Sequence, residues 1–394
     1  MKHGLRTALR ITPIRLSACL LTFAGVLLLV GCAKERSVRD AAHLYARWFV
    51  RPTQARTDSL QQLDLLQLRE AVTYALEETA GAPGPGAVRL VDPSGTEYTI
   101  GYTAPATMQP GARYPLIIYL HGGIGGASDT KGERAYEMLL PLADSLPLLL
   151  ASPTATRAAP WWSADGLARI LQTLRYMSLH YPVDSARVIL AGVSDGATGC
   201  YAAANAMCSP FAGFIAISGF GGMLPSLGMP LAPGNLMQRP IYNVNGDKDH
   251  LYPARAVEQF LNELERQGVG ILRTRYPEEG HGFDYREREY PRLVQLVRSW
   301  RRPAERKGIA WRILAGVPNR ADNLVSWSTQ ADLSGLPAIN AYWHNGRLVV
   351  TSLGIDGFTF VAPKAERPPV VVANNRAEER CRDVSSQVES QLEA

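Results

Sequence analysis

From Tyr114 onward, short apolar runs alternate with longer stretches of helical periodicity. Strands are predicted at 116–120, 148–151, 188–191, 213–218, 241–245 and 271–276, and helices at 167–180, 197–207, 254–267 and 291–301. Such alternation implies a mostly parallel sheet covered on both faces by helices, and ligands of such sheets bind beyond the carboxyl ends of the strands. Upstream, 39–79 reads as helical with a break near Pro52, and places Leu65, Leu68, Val72 and Leu76 on one apolar face. The Gly/Pro-rich run from Gly81 to Gly86 ends that segment, and the apolar stretches around Pro93-Ser94-Gly95 then read as a hairpin. After Arg302 the runs become short and strand-like, with Asn345-Gly346 as a hairpin turn. The expected division is 1–31, 32–84 (tether and helical segment), 85–302 (α/β domain), 303–375 (β-rich module) and a polar tail at 376–394.

Residues 1–31 form an export signal by pattern: Lys2, Arg6, Arg10 and Arg15 without an acid, then a mostly apolar stretch at 16–30 that is short for a membrane span. The stretch ends in Leu29-Val30-Gly31-Cys32, which resembles a bacterial lipobox and implies a lipid on Cys32 at the start of the mature chain. An uncleaved anchor is the other reading, and Lys34 and Arg36 are compatible with it. The short run and the small Gly31 favour the lipobox, and Ala33 in place of Asp implies the outer rather than the inner membrane of the cell envelope.

The formal charge of +5 shrinks once the signal is set aside, leaving 37 basic against 36 acidic residues. That balance gives no electrostatic argument for nucleic acid as a partner. Beyond Cys19 and Cys32 remain Cys200, Cys208 and Cys381. On one helix, the Cα atoms of Cys200 and Cys208 would lie about 12 Å apart, too far for a disulfide. A bridge would need the helix to end between them, and Cys200 as a small core residue is the favoured reading. No Cys/His spacing suggests zinc, and no cofactor or metal is expected.

The chemistry sits at the predicted strand ends. Gly192-Val193-Ser194-Asp195-Gly196 follows one strand and opens a helix, the context in which a serine flanked by glycines forms a sharp, exposed turn. Gly246-Asp247-Lys248-Asp249 follows the next-but-one strand, and Glu279-Gly280-His281-Gly282 follows the last. Serine, acid, histidine in that order, with His121-Gly122-Gly123 at an earlier strand end, supplies a nucleophile, a base, its orienting carboxylate and backbone donors for an oxyanion. Ser194 is expected as nucleophile, His281 as base and Asp249 as acid, with Asp247 as rival. The N–H groups of Gly122, Gly123 and Asp195 are the expected oxyanion donors. Trp161 and Trp162 are candidate pocket walls, with core packing as the alternative, and 223–237 is either a flap or a plain connection.

These motifs, with Tyr119-Leu120 before His121, Asp184 to Val188 and the Trp161-Trp162 pair, resemble the α/β-hydrolase superfamily over roughly 85–300, and within it exported esterases of the poly(3-hydroxybutyrate) depolymerase and feruloyl esterase groups. The resemblance implies the α/β-hydrolase fold with a small C-terminal β-rich module. It also implies cleavage of a small-molecule or polymeric carboxylic ester through an acyl-enzyme. A serine peptidase of the prolyl-oligopeptidase type and a non-catalytic binding protein on the same scaffold are the alternatives. Two positions depart from the usual pattern: Asp195 brings a carboxylate next to the nucleophile, where it would oppose an oxyanion unless turned away, and Ala197 replaces a further glycine.

Overall fold

The computed structural model describes residues 37–304, 306, 308–322, 324–330, 335–344, 347–360, 370–373 and 376–377. The export signal, Cys32, the start of the tether, the turn at 345–346, Cys381 and most of the polar tail lie outside the described residues. Two compact units divide the chain between Thr79 and Ala80.

The first unit is helical: α1 over 37–50, α2 (Gln54–Leu60) and α3 (Leu65–Glu78), with the expected break around Pro52. Thr53 caps α2 through its hydroxyl. Asp64 and Gln67 form a reciprocal capping box that starts α3 and satisfies two donors left open by helix geometry. The buried stripe of α3 is Ala71, Val72 and Ala75, whereas Leu65 and Leu76 are exposed. The expected leucine face is thus rotated towards small residues, which allow closer backbone approach than leucines.

The second unit is organised on an eight-stranded sheet with the order β1-β2-β4-β3-β5-β6-β7-β8. Its strands are β1 (Gly84–Val91), β2 (Glu97–Ala104), β3 (Tyr114–Leu120), β4 (Leu149–Pro153), β5 (Val183–Val193), β6 (Gly213–Ile217), β7 (Ile241–Gly246) and β8 (Ile271–Tyr276). The hairpin β1–β2 and the β2–β4 pair are antiparallel, and every pair from β4 to β8 is parallel. Helices α4 (Leu140–Ser145), α5 (Ala164–His180), α6 (Asp195–Ala206), α7 (Pro233–Leu236), α8 (Ala254–Arg266) and α9 (Arg286–Ser299) connect and cover it. This is the α/β-hydrolase fold.

β3 is buried at every position, as a strand with helices over both faces must be. Its even and odd side chains serve two different cores. Leu116, Ile118 and Leu120 pack with α5 and α6 residues such as Ile170 and Ala203, while Ile117 and Tyr119 pack with α9 residues such as Leu293 and Val297. A buried ion pair, Arg169 to Asp92 at 2.6 Å, ties α5 to the turn of the β1–β2 hairpin, and Tyr98 lies under the same guanidinium.

The C-terminal module has a five-stranded sheet, β15-β14-β12-β11-β9, and a two-stranded sheet, β10-β13. These strands are β9 (Gly308–Arg312), β10 (Leu324–Thr329), β11 (Ala338–His344), β12 (Arg347–Leu353), β13 (Ile355–Phe360), β14 (Val370–Ala373) and β15 (Arg376–Ala377). His344 pairs with Arg347 across β11 and β12, the register a two-residue turn requires. Ile309 and Trp311, Ile339, Ala341 and Trp343, and Leu348 and Val350 alternate inward to form one apolar cluster, which also takes in Cys208 from the hydrolase core.

The segment 223–237 is no flap. Met229, Ala232 and Leu236 are buried in the main core. Asn235, at the end of α7, exchanges hydrogen bonds with both the N–H and the carbonyl of Arg312 in β9, each at 2.8 Å, and donates to Asn205 O at 2.7 Å. Gln238 adds a bond to Ala310 O, and Arg239 forms a buried pair with Asp322 at 2.7 Å. The connection is a bracket that fastens the β module to the sheet.

Candidate active site

Between β5 and α6 the chain turns at Ser194 with φ 56° and ψ −119°, a conformation that an L-residue holds only when its surroundings impose it. The flanking glycines are the reason it fits. A Cβ on Gly192 would stand 2.4 Å from the Gly196 backbone, and one on Gly196 would stand 2.0 Å from Leu120 O. The Ser194 N–H donates to Ile217 O at 2.9 Å, anchoring the turn to β6. Ser194 occupies the N-cap position of α6, yet its side chain makes no capping bond. Its hydroxyl is directed elsewhere.

His281 Nε2 lies 2.8 Å from Ser194 Oγ, and His281 Nδ1 lies 2.8 Å from Asp249 Oδ2. The carboxylate on Nδ1 selects the tautomer with Nδ1–H donating to Asp249, which leaves Nε2 free to accept the serine proton. Asp249 is buried, and its other oxygen accepts the N–H groups of Leu251 and Tyr252, both at 2.8 Å. That arrangement keeps a charged carboxylate paired out of water. Asp247 is instead held by Arg275 in two bonds of 2.9 and 2.8 Å. His250 is exposed beside the acid turn.

What brings the acid and histidine loops together is backbone contact. Lys248 N donates to Glu279 O at 2.8 Å and Asp247 N to Tyr276 O at 2.9 Å. A Cβ on Gly246 would sit 2.3 Å from Glu279 O, so only glycine permits that approach. Gly246 is a site-building residue that spacing alone does not reveal.

On the other side of Ser194 lies the His121-Gly122-Gly123 loop, with a hypothetical Gly122 Cβ only 2.9 Å from Ser194 Cβ. Gly123 has φ 62°, in the left-handed region. Its geometry is held from behind by Lys131, whose Nζ donates to the carbonyls of Gly122 at 2.8 Å and Gly123 at 3.1 Å. Carbonyls drawn to one side direct the neighbouring N–H groups to the other. The first turn of α6 adds its own open N–H groups beside Ser194. Gly122 thus lies against Ser194 with Gly123 next in the loop, and Asp195 follows the serine at the start of α6. His121 is buried and kept neutral, its pKa depressed to about 4 by burial. It accepts from Ala155 N through Nε2 and so donates from Nδ1 to Gly122 O at 2.9 Å. It shapes the loop.

The carboxylate of Asp195 does not face the serine. Its Oδ2 accepts the Ile124 N–H at 2.9 Å, binding the start of α6 to the glycine loop. The Asp195 side chain, expected to oppose an oxyanion unless turned away, is therefore a clasp between the two segments that carry the candidate donors.

Trp161 is not a pocket wall. It is fully buried, donates from Nε1 to His121 O at 3.0 Å and meets the His121 ring edge-on. Packed against Gly199 on α6, it supports the loop from below. Trp162 is half-buried against the same core. Cys200 and Cys208 are both buried and free, and burial pushes the Cys208 thiol up to about 12. Lys131 and Tyr252 are site residues that no sequence motif marked. Tyr252 had one available signal, its place three residues after Asp249 in the acid turn.

Residues 156–311 match the model of the Dienelactone hydrolase family, a span that contains Ser194, Asp249 and His281. Among curated proteins the chain is similar to the bifunctional acetylxylan esterase/xylanase XynS20E of Neocallimastix patriciarum, 26% identical over 183 residues, which are 44% of this chain and 25% of that protein. The chain thus spans about a quarter of that relative's length. Among solved structures it is similar to a thermostable esterase (TM-score 0.46, 20% identity, 55% of this chain and 63% of that one) and to the acylaminoacyl peptidase of Pyrococcus horikoshii (TM-score 0.44, 14% identity, 58% and 44%). By strand order and by the strand ends that bear its Ser, Asp and His, this chain is an α/β-hydrolase in fold, and its segment 156–311 is similar to the dienelactone hydrolases.

Proposed function

We propose that the protein is a serine hydrolase that cleaves carboxylic esters through an acyl-enzyme, and that it is held at the bacterial outer membrane by a lipid on Cys32. The observation that carries the reading is the unbroken relay Ser194–His281–Asp249, with 2.8 Å at each link. In the first half-reaction Ser194 Oγ attacks the ester carbonyl as its proton passes to His281 Nε2. Asp249 stabilises the imidazolium, and the N–H groups of the Gly122–Gly123 loop and Asp195 receive the oxyanion. His281 then returns the proton to the departing alkoxide, leaving the acyl group on Ser194. Water repeats the sequence and releases the acid. The name of the curated relative, an acetylxylan esterase, supports an ester rather than an amide as substrate. The export pattern ahead of Cys32 supports the anchor.

A fluorophosphonate probe is expected to label the native protein on Ser194, and Ser194→Ala is expected to lose both the label and the hydrolysis of p-nitrophenyl esters. A folded native protein that neither takes the probe nor releases p-nitrophenol would overturn the reading. Metabolic labelling with a palmitate analogue, lost in Cys32→Ser, tests the anchor separately.

A further inference from the structure

We propose that Tyr252 is a specificity-determining residue that closes the acyl side of the site and restricts the enzyme to short-chain acyl groups. The inference rests on the ester-hydrolase reading above. Tyr252 is fixed to the relay by its own backbone, since its N–H donates to Asp249 Oδ1 at 2.8 Å. Its ring meets the His281 imidazole edge-on, with centroids 5.2 Å apart and planes at 68°. The side chain turns inward and is 7% exposed, while Leu251 beside it turns outward at 67%.

Burial raises the pKa of the Tyr252 hydroxyl, and the oxygens of Thr198 and Ser194 beside it pull the other way. Thr198 Oγ1 is buried and has no hydrogen-bond partner among the described residues. Behind the ring stand Phe220 at 6.4 Å and then Phe260, which meets Phe220 edge-on at 5.5 Å and Tyr201 at 5.5 Å. That aromatic chain blocks Tyr252 from swinging away from Ser194.

The geometry of the tetrahedral intermediate assigns the remaining space. Of the four substituents on the reacting carbon, one is Ser194 Oγ, one is the oxyanion against the glycine loop and Asp195 N–H, and one is the leaving oxygen near His281 Nε2. The acyl chain takes the remaining direction, and Tyr252 is assigned to its border. A buried ring on that side is expected to admit a methyl or ethyl group and to collide with a long chain.

The test is a series of p-nitrophenyl esters from acetate to octanoate, run on the native protein, Tyr252→Ala and Tyr252→Phe, with fluorophosphonate labelling of each. Native kcat/KM is expected to fall roughly 100-fold from acetate to octanoate, the scale on which a filled pocket rejects extra methylenes. Tyr252→Ala should bring the ratio to within about 5-fold, and Tyr252→Phe, which keeps the ring, should preserve the native ratio. A native protein that turns over octanoate as well as acetate would sink the proposal without need of any variant. So would a labelled, folded Tyr252→Ala with the native ratio, or a Tyr252→Phe that lowers kcat equally for every ester while Tyr252→Ala leaves the ratio untouched, which would make the phenol a hydrogen-bond donor instead. Absence of labelling in the native protein would instead remove the ester-hydrolase reading beneath it.

Discussion

The turn at Ser194 and the β module around Trp311 hold their side chains by opposite means. At Ser194 the constraints are backbone contacts and polar bonds: three glycines whose Cβ atoms would collide with neighbouring backbone or with Ser194 itself, a carboxylate with every oxygen occupied, and a lysine gripping two carbonyls. In the module the constraint is alternation, with Ile309, Trp311, Ile339, Trp343 and Val350 facing one apolar cluster. Two buried indole N–H groups there, of Trp311 and Trp343, have no partner among the described residues. An apolar cluster is non-directional and tolerates such lapses. A proton relay is directional and fails when any one partner shifts.

The largest test of this contrast lies in the two acids. Asp249→Asn is expected to lower kcat about 10⁴-fold, because the amide presents the wrong partner to Nδ1. Asp247→Asn, only two residues away but bound to Arg275, should change kcat by no more than a few-fold, read from steady-state ester hydrolysis. Next in size is Gly196→Ala. Its methyl would meet Leu120 O at 2.0 Å. A stability loss of about 3 kcal/mol or more is expected from urea unfolding. By contrast Gly316, with open space around its Cβ position, belongs to a loop where only its positive φ of 71° is at stake.

Asn235→Ala sharpens the comparison from the module's side. It strips three hydrogen bonds between α7, Asn205 and β9 and should cost about 2–3 kcal/mol in the same unfolding assay. Asn235 lies outside the relay, so kcat of the folded variant should stay at the native value.

The smallest effect expected is that of pH on the loop beside the serine. His121 has a folded-state pKa of about 4 against an ordinary 6.5, lowered by burial. The fold therefore favours its neutral form. Its contribution is complete above pH 6.5 and is lost as pH falls from there towards 4, reaching about 2 kcal/mol by pH 5. In His121→Gln the acid-side slope of unfolding free energy against pH should flatten across that window, which thermal melts at a series of pH values would measure.

The order Ser194, Asp249, His281 and the strands leading to them were legible in the sequence, because an apolar run followed by a glycine turn is a local signal. The alternation of Ile309, Trp311 and the β11–β12 residues was legible for the same reason. Asp249 was preferred to Asp247 from the sequence, but the reason that separates them was not visible there, since both sit in one turn. The separation depended on which carboxylate Arg275 had already taken. The roles of Trp161 and Asp195 also escaped, because each is defined by a partner far along the chain, His121 in one case and Ile124 in the other. The leucine face of α3 failed because periodicity counts apolar residues without weighing how closely small ones can pack.

By itself, then, the sequence determined which strands and turns exist and which chemical groups stand at their ends, because hydrophobic period and glycine placement act over a few residues. Tertiary structure alone decided which of those groups meet and which are bound elsewhere. Hydrogen-bond partnership between distant loops is settled by backbone approach, as where Gly246 lets the acid turn lie against Glu279, and no local pattern encodes that contact.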